Sequence, residues 1–175
     1  GKSLLPLVTG KSDKWRQYLA YERNVDAINL YFPQRALRDS RYKIIWSPLA
    51  ADKRPDAGAW DYVTQAKWAK CSYSEAEVKE LPEDVQQVYT TWLNPPEYQL
   101  YDLKNDEWEF NNLAGKKEYA RIEARLKTAL KQWMKETDDW AADPAKLKML
   151  TEETDSLTKA GKGKYPKDGW QYLNY

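Results

Sequence analysis

From Lys117 to Thr137 the apolar residues Tyr119, Ile122, Leu126, Ala129, Leu130 and Trp133 recur at three- and four-residue spacing, with Lys, Arg and Glu between them. That spacing predicts one long amphipathic helix with a single apolar stripe. A striped helix must bury its stripe against another layer. The rest of the chain supplies that layer as strands. Phe32 to Ser47 reads as a hairpin, with Asp39-Ser40 at the turn and Tyr42, Ile44 and Trp46 alternating with Lys43 and Ile45. Pro33 stands at the start of its strand, where a missing N–H is tolerated. Trp15 to Glu22 reads as a further strand, and Glu97 to Leu103 as the last one, with apolar groups on both of its faces.

Between hairpin and last strand the pattern changes. Ala59 to Lys70 and Glu83 to Trp92 carry helical spacing, and Pro82 before Glu83 and Asp84 is a good helix start. The fold class that follows is α+β. About four antiparallel strands form a small sheet packed against the long C-terminal helix, with short helices in an insertion before the last strand. Residues 1–140 are read as this domain. Residues 141–175, with a short helical piece after Pro144 and an aromatic end at Trp170, Tyr172 and Tyr175, are read as a tail docked on it.

Composition excludes several chemistries. The chain has no His, which removes the commonest general base and zinc ligand. Its one Cys, Cys71, permits neither an internal disulfide nor a cysteine metal cluster. The formal charge of +1 gives no field that would point to nucleic acid or an anionic membrane. No apolar run approaches the roughly 20 residues of a membrane span.

Several short runs resemble one family. Gly1-Lys2-Ser3-Leu4-Leu5-Pro6-Leu7 is similar to the segment leading out of a sulfatase catalytic domain. Pro33-Gln34-Arg35-Ala36-Leu37-Arg38, followed by Arg41-Tyr42-Lys43-Ile44-Ile45, resembles the strand pair P-M-R-A-[VI]-R-T-x-R-Y-K-x-I. Glu97 to Ala114 resembles ELYDL-x-x-DP-x-E-x-x-NLA, with Glu107 where the family usually has Pro. The helix closing on Trp133-Met134-Lys135-Glu136-Thr137-Asp138-Asp139, together with the long insertion, is similar to the heparan N-sulfatase (sulfamidase) branch.

The resemblance implies the non-catalytic C-terminal domain of a sulfatase that hydrolyses sulfate esters or sulfamates of a glycosaminoglycan-like glycan. It implies an N-terminal catalytic domain as partner, holding the formylglycine and calcium, and a secreted or periplasmic parent with its signal upstream of Gly1. A hydrated formylglycine supplies the nucleophilic oxygen and the ion stabilises charge on the sulfate. Cys71 is followed by Ser72-Tyr73-Ser74-Glu75, which is not the C/S-x-P-S/A-R motif, so this chain alone is expected to be inactive and to need no cofactor.

Glu22-Arg23-Asn24-Val25-Asp26 resembles a family segment E-H-N-x-H that reaches the substrate pocket, with Arg23 and Asp26 in place of its histidines. The rim candidates are therefore Arg35, Arg23, Asn24 and Glu22. Arg35, Arg38, Arg41 and Lys43 suit sulfate, because guanidinium matches oxyanions in a bidentate way; solubility and pairing with acids is the competing explanation. Trp60, Trp68 and Tyr73 are candidates for stacking on sugar rings. Asp102, Asp106, Glu107 and Glu109 invite a calcium loop, but turn chemistry explains them better. The rival reading is a freestanding glycan-binding or interaction module derived from a sulfatase.

Overall fold

The computed structural model describes residues 3–25, 31–50 and 73–159. One helical turn, α1 (Leu5–Val8), precedes a four-stranded antiparallel sheet of order β1-β2-β3-β4: β1 (Leu19–Val25), β2 (Tyr31–Arg38), β3 (Tyr42–Trp46) and β4 (Tyr98–Asp102). Between β3 and β4 lie α2 (Glu75–Val78) and α3 (Glu83–Leu93); after β4 come α4 (Ala120–Glu136) and α5 (Pro144–Lys159). The α+β architecture read from the sequence is the one observed.

Three boundaries differ. The first strand runs Leu19–Val25 rather than Trp15–Glu22, because its pairing with β2 extends from Leu19↔Arg38 to Val25↔Tyr31. Before it, Arg16 stacks on Trp15. The long helix starts with a 3-10 turn at Lys117–Tyr119 before α4 proper. The short helical piece after Pro144 is a sixteen-residue helix, α5. The helix expected over 59–70, Cys71 and the aromatic residues after 160 lie outside the described residues.

Strand parity divides the sheet cleanly. Leu37, Ile44 and Leu100 turn toward α4 and pack on Leu126, Leu130 and Met134 in one core. Ile44, Leu100 and Leu126 are fully buried, worth roughly 1.5–3 kcal/mol each relative to exposure. A second cluster of Tyr31, Phe32, Leu49 and Leu150 seats α5 beside the sheet. The Tyr31 hydroxyl also shares a 3.0 Å hydrogen bond with Thr151.

The turn of the hairpin is built by Asp39. One carboxylate oxygen accepts the N–H groups of Arg41 (2.7 Å) and Tyr42 (2.6 Å), and the other accepts Arg125 of α4 at 2.6 Å. Burial works against ionising this group, yet the Tyr42 N–H, the Arg125 guanidinium and the Arg41 N–H together hold Asp39 below the usual carboxylate range. A local turn is thereby tied to the helical layer.

The end of α4 is equally specific. Asp138 takes a left-handed φ of 50°, and the Asp139 N–H reaches back to the Met134 carbonyl at 2.9 Å. This is a Schellman-type stop with Asp where Gly is usual. It delivers the Asp139 carboxylate to β2.

Candidate functional site

On its other face the sheet is a shallow floor. Arg23, Gln34, Ile45, Gln99 and Tyr101 line a cavity of about 250 Å³, walled by Trp92 of α3 and by Trp108 and Phe110 of the loop after β4. A wider recess of about 530 Å³ adjoins it along the same floor, sharing Arg23, Gln34 and Ile45 and running on to Tyr21, Arg38 and Lys43. Strand register puts these residues side by side: Arg23 faces Gln34, Tyr21 faces Ala36 and Arg38 faces Lys43.

Polar groups on the floor are held in place. Gln34 donates to Ser47 at 2.9 Å and Gln99 donates to the Tyr101 hydroxyl at 2.6 Å. Burial pushes the Tyr101 phenol up to about 12, so it stays a neutral hydroxyl. Lys43 places its ammonium on both oxygens of Glu109, each at 2.8 Å. Glu109 sits at φ 60°, a left-handed position that aims it back at the sheet. Trp108 is 73% exposed, an apolar wall left open to solvent.

Behind this floor lies the arrangement that holds the bulged end of β1. Arg35 is fully buried on the helix-facing side. Its Nη2 donates to Asp139 at 2.8 Å and its Nε donates to the second oxygen of the same carboxylate, a bidentate fork. Its Nη1 donates to the Asn24 side chain at 2.8 Å and to the Arg23 carbonyl at 3.1 Å. The ring of Trp140 lies 5.2 Å from the guanidinium carbon. The β1–β2 register shifts between Arg23 and Val25, so the strand bulges where Arg35 grips it. A bulge re-aims side chains, and here one buried cation fixes how it does so.

The four rim candidates therefore meet at one end of β1 and β2. Glu22 is exposed and opposite Arg35 in the register, Arg23 and Asn24 are half-buried, and Arg35 lies beneath them. Tyr73 is 48% exposed and lines neither recess. Trp60 and Trp68 lie outside the described residues. Of the other basic residues, Arg41 forks onto Asp102 at 2.9 and 2.6 Å. That fork holds the Asp102 carboxyl at about 2.

Of the acids that invited a calcium loop, Asp102 and Asp106 hold the turn and Glu109 pairs with Lys43. Asp106 accepts the N–H groups of Phe110 (2.9 Å) and Asn111 (2.8 Å), and Asp102 also bonds Asn105 at 2.9 Å. Among the described residues no group of three or more Cys, Asp or Glu side chains is placed to hold a metal ion. None of their helices is long and apolar enough to cross a membrane.

Sequence reading missed Gln34, Gln99 and Tyr101 as floor residues and Asp139 as the partner of Arg35. The first three carried a signal: they occupy strand positions of opposite parity to Leu37 and Leu100. Asp139 stood in the W-x-x-E-T-x-D run, but nothing local connects it with a strand 104 residues away.

Among the described residues, then, one face of the antiparallel sheet lies under the long helix and the other carries two recesses lined by polar and aromatic side chains. The likeness of the chain is to sulfatases. The chain is 30% identical over 141 residues to an ulvan-active sulfatase of Formosa agariphila, a match over 79% of this chain and 25% of that protein. Over those residues it is homologous to a sulfatase, and it spans about a quarter of that relative's length. No family model matches. Solved structures of similar shape include a 2-O GAG sulfatase (TM-score 0.48, 20% identity, 78% of this chain and 20% of that one). Another was solved in complex with its substrate D-glucosamine-2-N,6-O-disulfate (TM-score 0.48, 19% identity, 81% of this chain and 21% of that one).

Proposed function

We propose that the chain is the non-catalytic C-terminal domain of a sulfatase of the heparan N-sulfatase type, and that it completes the rim of the substrate pocket. The parent enzyme hydrolyses sulfate esters or sulfamates of a glycosaminoglycan-like glycan and is secreted or periplasmic. The formylglycine and calcium belong to its N-terminal catalytic domain. The observation that carries this reading is the match to one quarter of a sulfatase across most of this chain. The family-like order of the strand and helix motifs supports it.

The rim role falls to Arg23, Asn24 and Glu22, with Arg35 as the positioning residue beneath them. Arg23 supplies a fixed positive charge where the family pattern has a neutral-to-cationic imidazole, which suits a sulfate at any working pH. Gln34, Gln99 and Tyr101 offer hydroxyl-matching partners alongside.

The test is the coding sequence upstream of Gly1. An open frame running back through a C/S-x-P-S/A-R motif upholds the reading, and the parent carrying Arg23→Ala then loses affinity for its sulfated substrate. A start codon just before Gly1 overturns it in favour of a freestanding glycan-binding module, which the replacement of both histidines by Arg23 and Asp26 favours. Pure 175-residue protein is expected to release no sulfate.

A further inference from the structure

At the end of β1 and β2 remote from the rim, a recess of about 480 Å³ is lined by Arg16, Gln17, Leu19, Arg38, Asp39 and Arg125. Three guanidinium groups meet one carboxylate there, and that carboxylate is already spent. Asp39 takes Arg125 on one oxygen and two backbone N–H groups on the other. Arg38 donates its Nε to the Asp39 carbonyl at 3.2 Å, and Arg16 lies with its guanidinium carbon 4.5 Å from the Trp15 ring centre. Among the described residues neither has a carboxylate partner. A stacked or backbone-anchored guanidinium keeps an unused edge of donors in a preset plane, the geometry that captures a sulfate or carboxylate.

Arg38 lines both this recess and the wider one on the sheet floor. Leu19 pairs with Arg38 and Arg23 pairs with Gln34, so the two cationic ends are four strand residues apart. At roughly 3.3 Å per residue that is about 13 Å, more than one sugar ring. Between them Tyr21 is 48% exposed and offers a ring face, with the Glu107 carboxylate lining the same recess. The sequence of charges along the floor is therefore cation, neutral or acidic, cation.

We propose that Arg16 and Arg38 form an outer anion position that holds a distal sulfate or carboxylate of a sulfated oligosaccharide whose other end reaches Arg23. The inference rests on the sulfated-glycan reading of the rim. It makes the domain a length sensor for the glycan, with disaccharides bound at one end and longer fragments at both.

Calorimetric titration of the 175-residue chain with heparin-derived fragments, from disaccharide to octasaccharide, tests it. Affinity is expected to step up once the fragment spans both ends. Arg16→Gln/Arg38→Gln is expected to weaken the octasaccharide by at least about fivefold, leaving the disaccharide unchanged. Arg16→Gln alone, at an exposed side chain, is expected to show part of the loss with an unchanged thermal midpoint. An octasaccharide bound equally by the double variant and by wild type overturns the outer position. If Arg23→Gln still weakens binding in that case, the rim reading stands without it. If wild type binds no fragment of any length, the outer position falls together with a glycan-binding rim.

Discussion

Arg35 and Asp139 form a two-pronged ion pair in which the arginine is 0% and the aspartate side chain 3% exposed. The pair joins the middle of β2 to a residue three positions beyond the end of α4. It also carries the bulged end of β1 on the remaining guanidinium donors. The geometry of the end of β1 thus depends on a contact made behind it.

Asp139→Asn is expected to destabilise the fold by about 3–5 kcal/mol, because a buried guanidinium loses its counter-charge. Arg35→Met/Asp139→Leu is expected to cost far less than the sum of the single changes. Urea unfolding of the four proteins measures the coupling. Hydrogen exchange reads the rim separately: in the double variant the Arg23 and Asn24 amides are expected to exchange faster even where global stability is regained.

Acid dependence follows from Asp102. The Arg41 fork lowers its carboxyl from 3.8 to about 2 in the fold. A depressed folded-state value contributes stability that is full above the unfolded value and is lost as pH falls through the folded one. The urea midpoint of Asp102→Asn is expected to lie below wild type above pH 4 and to converge with it near pH 2. A constant difference across that range would remove the assignment.

Two left-handed positions should respond in opposite directions. Asp138→Gly removes a Cβ penalty at φ 50° and is expected to stabilise by roughly 0.5–1 kcal/mol. Gly115→Ala, at φ 78° with open space around its new Cβ, is expected to cost about 1 kcal/mol from backbone strain alone. Thermal unfolding resolves both.

The cost of truncating an apolar side chain should follow its burial. Leu126→Ala, at a fully buried position of α4, is expected to cost about 2–5 kcal/mol. Leu157→Ala, near the end of α5 and only half-buried, should cost much less. Equal losses would mean that the end of α5 is seated more firmly than its burial indicates.

Much of the scaffold was legible because period carries it. The stripe Ile122, Leu126, Leu130 marked α4, and the alternation Tyr42, Ile44, Trp46 marked β3, each independently of distant partners. The start of β1 was not, because Trp15 and Arg16 have strand-like composition but belong to a stacked corner that only the β2 register reveals. The site was half legible. The resemblance of Glu22 to Asp26 pointed to the end of β1 where the strand bulges at Arg23. Arg35 was singled out by its motif, but its direction was not, since its strand neighbours Gln34 and Ala36 face the cavity while it faces Asp139. A side chain that reaches across the fold to a residue in another layer leaves no periodic trace.

The meander order of the sheet has an evolutionary consequence. β1, β2 and β3 are joined by short connections, whereas Trp46 and Tyr98 are directly paired across everything between them. Once that pairing is fixed, doubling the intervening length costs only about 0.6 kcal/mol of closure entropy. The excursion is thus a cassette: relatives can lengthen, shorten or replace it without disturbing the registers that place the rim. Selection can rewrite what surrounds the sheet floor while the frame beneath stays constant.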